Sequence, residues 1–207
     1  MLFSYFQQGG PVMYFILLAS IMGLTVFIER LFYLEKVRKN ARMVMERIRE
    51  KLKGLRLDEA IAVCENHPGP ASNIIKAGLE SSSKTREEIE TAMEDAAKYE
   101  IPKLQKNMPV LATVVSISTL LGLLGTVIGM IMSCNVLARQ GMSNPSQLIA
   151  GIAQALITTA YGLIVAIPAV VGYNYIQNKV DNVITDIEIS TTDLLKLLKK
   201  DSEIKKW

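Results

Sequence analysis

The sequence predicts an all-α membrane protein with three transmembrane helices and long helical extensions outside the bilayer. Three observations carry that reading. From Asn107 to Asn178 there is a single charged side chain, Arg139, and no acid. The apolar runs on either side of it, Pro109–Ala138 and Gln147–Gln177, exceed the roughly 20 residues that cross a bilayer as a helix. A third uncharged run, Val12–Ile28, has the length of a short span. Strand signals are absent, and the charged blocks carry apolar residues at helical spacing.

Residues 1–33 hold an N-terminal segment and the first span, bounded by Gly9-Gly10-Pro11 and by Glu29-Arg30. The first basic residue follows the apolar run, so no basic region precedes it as in a cleavable signal peptide, and a retained helix is expected. Residues 34–108 form a helical block. Val37, Ala41, Val44, Met45, Ile48 and Leu52 give its first helix an apolar face, which Gly54 ends. Leu57–Glu65 is a short helix, stopped by Asn66-His67-Pro68-Gly69-Pro70, and Ala71–Glu80 is another. Thr85-x-x-Glu88 reads as a capping box opening a longer helix. That helix is expected to run on through Pro102 and Pro109 with a kink near either. Residues 109–138 and 147–177 are the second and third spans, joined by an outer turn at 139–146, and 178–207 form an amphipathic helical tail.

Basic residues set the expected orientation. Residues 30–106 hold 16 of the 23 Lys and Arg, the 139–146 turn holds Arg139 alone, and six follow from Lys179. Positive residues favour the cytoplasm. The N-terminus is therefore expected in the periplasm, the 34–108 block and the C-terminus in the cytoplasm. That topology puts a bilayer between Cys64 and Cys134, which excludes pairing within one chain. Cys64 and His67 read as a buried thiol and a turn histidine, not as a metal half-site.

The spans carry small polar groups in register. Ala112, Thr119, Thr126 and Ser133 recur every seven residues, as do Gln147, Gln154 and Tyr161, with Thr158 one turn from Gln154. Gly122, Gly125 and Gly129 offer close-approach surfaces, with neighbouring copies as the expected partners. Singly, such hydroxyls satisfy themselves on their own helix carbonyls; as a stripe on two helices they suit a polar lumen. No ionisable side chain stands in the two long spans, and Glu29-Arg30 at the inner boundary of the first reads as an interfacial pair. A proton path here needs a carboxylate from another chain. An enzyme would need a nucleophile–base set or metal ligands near the membrane face, and the chain has one histidine, in a turn.

Leu120-Leu121-Gly122-Leu123-Leu124-Gly125-Thr126-Val127-Ile128-Gly129-Met130-Ile131 resembles the signature of the MotA/TolQ/ExbB proton-channel family. Gly151-Ile152-Ala153-Gln154-Ala155-Leu156-Ile157-Thr158-Thr159-Ala160-Tyr161-Gly162-Leu163, with Ala166-Ile167-Pro168-Ala169, resembles its second motif. Gly9-Gly10-Pro11-Val12-Met13, Phe27-Ile28-Glu29-Arg30-Leu31 and His67-Pro68-Gly69-Pro70-Ala71 resemble the ExbB/TolQ branch. The resemblance implies a pentameric ring in the bacterial inner membrane around the helices of an ExbD/TolR-like partner, each bringing an aspartate. Proton flow would drive a TonB/TolA-like protein across the envelope, with no cofactor, no enzyme activity and no nucleic acid. Sodium stands as an alternative ion, and a non-conducting scaffold ring as an alternative role. Thr126 and Thr159 match the family's lumen threonines, and Gly162 and Pro168 fall in its second motif. Gln154 stands where many members have glutamate, and Thr119 where they have proline.

Overall fold

The computed structural model describes residue 6 and residues 8–53, 56–141 and 145–204, and those residues form helices and turns only. Helix α1 is Val12–Lys53, α2 Leu57–Asn66, α3 Pro70–Glu80, α4 Arg86–Gln105, α5 Met108–Gln140 and α6 Pro145–Ile204. Three helical stretches are long and apolar enough to cross a membrane. The chain divides into two compact units, residues 1–29 with 107–176 and residues 30–106 with 177–207.

In the first unit, Val12, Met13 and Ile16 of α1 are buried against Leu121, Ile128, Tyr161 and Val165 of α5 and α6. Beyond that narrow core the spans turn apolar side chains outward: Leu120 is 61% exposed, Leu156 65% and Val171 64%. So much exposed apolar surface suits a lipid solvent, not water. The α5–α6 hairpin is punctuated by Gly141, whose φ of +58° caps α5, and by Pro145, which opens α6 where no amide partner is required. Residues 142–144 of the expected turn lie outside the described residues.

In the second unit the predicted face of α1 is the buried one: Val37, Ala41, Val44, Met45, Ile48 and Leu52 are each under 9% exposed. Ile74, Ile75 and Leu79 of α3, Met93 and Leu104 of α4 and Val180, Val183, Ile187 and Leu194 of α6 are buried too. Ion pairs stitch α1 to α6, with Arg38 Nε at 3.1 Å from Asp186 and Lys179 Nζ at 3.0 Å from Glu35, and Arg49 paired with Asp193. The capping box forms as read, with Glu88 N donating to Thr85 Oγ1 at 3.3 Å and Thr85 N to Glu88 Oε2 at 2.9 Å.

Two segments join into one helix, and one expectation changes. Residues 12–53 form one uninterrupted helix, because no Gly or Pro lies between Gly23 and the end of α1; the expected stop, Gly54, lies outside the described residues. The helix from Thr85 does not continue into the next span. Pro102 stays inside α4, and the break falls at Asn107, whose φ is +66°. Asparagine tolerates that left-handed conformation, and Pro109 then occupies the first turn of α5, where a missing N–H costs nothing.

Candidate ion pathway

The hairpin of α5 and α6 is held by glycines facing the other helix of the same chain. A Cβ on Gly122 would lie 3.3 Å from Thr159 Cα and 3.4 Å from Gly162 Cα. One on Gly162 would come within 2.7 Å of Ser118 O and 2.9 Å of Gly122 Cα, and one on Gly129 within 2.7 Å of Gly151 O. Gly125 faces the Thr158 side chain as closely. Within the chain, the close-approach stripe of α5 faces α6.

That approach brings Thr159 to α5. Its Oγ1 donates to Gly122 O at 3.0 Å across the hairpin. In an α-helix the same carbonyl takes the amide of the residue four positions on, here Thr126, and a carbonyl oxygen has two lone pairs for two donors. Gly122 O therefore ties the Thr159 hydroxyl to the turn that carries Thr126. Thr126 is half-buried, and its Oγ1 donates to Leu123 O at 2.6 Å. With its proton so placed, each threonine oxygen keeps lone pairs for an incoming donor.

The other stripe residues divide. Thr119 is exposed and donates to Val115 O at 3.1 Å. Gln154 is half-buried and stands over Gly10, where a Cβ would meet its Nε2 at 2.5 Å. Thr158 and Ser133 lie inside the hairpin. Thr158, fully buried, donates to Gln154 O and Ala155 O, and Ser133 Oγ donates to Leu148 O at 3.1 Å. Ser118, another hydroxyl of the second span, is fully buried, with no hydrogen-bond partner for its hydroxyl among the described residues. Pro168 lines an apolar cavity of about 320 Å³ with Gly23, Phe27 and Gly172.

At the end of the first span, Glu29 accepts from Asn107 Nδ2 at 3.2 Å. Arg30 is only 3% exposed. Its Nη1 points at Lys103 O and Leu104 O, 3.4 and 3.5 Å away, and its guanidinium lies 4.9 Å from the Tyr33 ring centre. A cation there meets the negative end of α4. Burial pushes the Cys64 thiol up to about 11, so it is inert as a nucleophile or metal ligand near neutral pH. No group of three His, Cys, Asp or Glu suited to a metal ion occurs among the described residues.

Residues 66–189 match the model of the MotA/TolQ/ExbB proton channel family. The chain belongs to that family. It is similar to an ExbB homolog of Methanothermobacter thermautotrophicus, 31% identical over 185 residues covering 89% of this chain and 66% of that protein. It is similar to the Tol-Pal system protein TolQ of Pseudomonas aeruginosa, 36% identical over 135 residues, 58% of each chain. Against the biopolymer transport protein ExbB of Xanthomonas campestris it is 32% identical over 145 residues, 70% of this chain and 56% of that one. The matches thus span about three-fifths of these relatives' lengths and place the chain in the ExbB/TolQ branch. It is a multi-pass membrane protein of a transport family.

Proposed function

We propose that this chain is the channel subunit of an ion-driven motor of the inner membrane. Five copies would surround the spans of an ExbD/TolR-like partner, and a TonB/TolA-like protein would carry the work to the outer envelope. The N-terminus would be periplasmic, the 34–108 block and the C-terminus cytoplasmic. The observation that carries the reading is the Thr126–Leu123 and Thr159–Gly122 arrangement, two hydroxyls held on successive carbonyls of α5 in spans without an acid.

The partner's aspartate would do the titrating. When protonated it can donate to the lone pairs of Thr126 or Thr159, which favours its neutral form beside the ring. When ionised it needs donors, and a threonine reaches it only by turning its hydroxyl off the backbone carbonyl. The same oxygen therefore serves both protonation states at unequal cost, a bias suited to loading on one face and release on another. Each charge crossing the field releases about 2.3 kcal/mol per 100 mV, so a large mechanical step uses several ions. Gln154 has no proton to give at neutral pH, so titration falls on the partner. Oxygen ligands suit a sodium ion as well, and flux in sodium-free medium separates the two.

The non-conducting scaffold is favoured by one observation: Thr113, Thr119, Thr126 and Thr158 all donate to their own helix. Proton flux into vesicles holding the ring and its partner decides between them. The channel reading expects Thr126→Val to abolish flux with assembly unchanged. Wild-type flux through that variant would leave the scaffold.

A further inference from the structure

Beyond the ion path, α1 and α6 enclose a groove of about 330 Å³ lined by Arg38, Lys39, Arg42 and Lys179, with Glu35 beside them. Its charges do not balance. Lys179 is paired with Glu35, and Arg38 and Arg42 share one oxygen of Asp186, at 3.1 and 3.7 Å. Lys39 makes no ion pair among the described residues. Four cations stand against two carboxylates, an excess of two positive charges. Both arginines spend a single nitrogen on Asp186, which leaves guanidinium N–H groups for a second oxyanion.

Position along the helices says which anion. Arg30 would ordinarily mark the bilayer edge, but its charge is turned inward onto α4. Glu29 is exposed beside it and bonded to Asn107, and past them the outward surface of α1 carries Phe32, 68% exposed, before Glu35 and Lys36. The last lipid-facing turn of α1 is therefore the one ending near Leu34. Arg38 follows Leu34 by four residues, about 6 Å of helix. On α6, Tyr175 is 49% exposed and Lys179 follows it by four residues, again about 6 Å. The headgroup layer on each side of the hydrocarbon is roughly 5–8 Å deep, and aromatic side chains favour its inner edge. Arg38, Lys39 and Lys179 thus fall at phosphate depth, and Arg42, one turn further at about 12 Å, reaches back towards it because helix side chains lean to the N-terminus.

We propose that this groove seats the phosphate of an anionic phospholipid, bound by Arg38, Lys39, Arg42 and Lys179. Charge complementarity commits it to a lipid of net negative charge, since a zwitterionic headgroup brings its own cation into a groove already rich in them. The bound lipid would neutralise the excess charge and brace α1 against α6 at the membrane face.

The test is native mass spectrometry of the delipidated full chain in detergent, titrated separately with phosphatidylglycerol, phosphatidylcholine and inorganic phosphate. Phosphatidylglycerol should be retained and phosphatidylcholine should not. A basic residue near an anionic surface contributes about a fivefold change in affinity, so Lys39→Gln should weaken retention about fivefold and the Lys39→Gln, Arg42→Gln pair about 25-fold. Lys36→Gln is the control, because Lys36 lies at nearly the same depth on α1 but does not line the groove. All three positions are exposed, so the variants keep the fold. Equal loss in Lys36→Gln would reduce the effect to diffuse attraction and overturn the site. Equal retention of the two lipids would overturn it too, and so would displacement by inorganic phosphate at matched concentration.

Discussion

Replacing Gly162 by alanine sets two physical effects against each other. In a helix interior, alanine is favoured over glycine by about 1 kcal/mol, so propensity alone makes Gly162→Ala stabilising. The hairpin says otherwise. The new Cβ would sit 2.7 Å from Ser118 O and 2.9 Å from Gly122 Cα, both backbone atoms that no rotamer change can move. Ordinary contact begins near 3.4 Å, so α5 and α6 must part by about 0.5–0.7 Å. Overpacking of this kind costs about 1–3 kcal/mol. The same displacement stretches the 3.0 Å bond from Thr159 to Gly122 O towards 3.5 Å, at a further cost of about 0.6 kcal/mol for an interhelical bond in a membrane. Net destabilisation of about 1–2 kcal/mol is expected, with loss of the Thr159 geometry. Reversible unfolding in mixed micelles reads the stability, and vesicle flux reads the geometry. A variant as stable as wild type, or more so, would mean the glycine contacts do not set the helix spacing.

Cys64, pushed up to about 11 by burial, should resist iodoacetamide at pH 8 in the folded chain and react once denatured, as mass-shift labelling would show. The thiol stays protonated in the folded state above the unfolded value of 9.0, so stability should fall as pH rises from about 9 to 11. Cys64→Ala should lose that part of the alkaline slope. Arg30→Gln should destabilise the chain by about 2–3 kcal/mol in the same micelle assay, since charged hydrogen bonds to the α4 carbonyls are removed from a buried site, and a change under 0.5 kcal/mol would deny Arg30 a capping role. For topology, Lys84→Cys in a Cys64- and Cys134-free background should react with an impermeant maleimide only after cells are opened, whereas Ser143→Cys in the same background should react in intact spheroplasts. The reverse pattern would invert the orientation. Lys84 serves because it is exposed, whereas the neighbouring Ser81 is 7% exposed.

The membrane helices were readable because hydrocarbon imposes a simple rule: a long run without charge. The buried face of α1 was readable because residues 37–52 carry one apolar stripe among charges, and periodicity alone identifies which side turns inward. Asn107 escaped because proline draws attention as a helix breaker, although Pro109 is a helix starter and the left-handed asparagine before it makes the break. Glycine spacing on α5 marks a surface for close approach, and spacing alone cannot tell an approach within one chain from one between copies. Ser133 shares the heptad of Thr126, and Thr158 stands one turn from Gln154, yet both turn into the hairpin, because the facing surface at their level is Gly125, Gly129 and Gly151. Arg30 looked like half of an interfacial pair, and only the fold brings the α4 carbonyls, more than 70 residues away, within its reach.

The central claim is that the Thr159 hydroxyl works in ion transfer and does not merely pin α6 to α5. Serine and valine at that position separate the two. Serine keeps the donor and the lone pairs; valine keeps the shape and loses both. Proton flux into vesicles that contain the ring and its partner should be near wild type for Thr159→Ser and absent for Thr159→Val, with subunit number by native mass spectrometry the same in both. Flux through the valine ring at the wild-type rate would contradict the account.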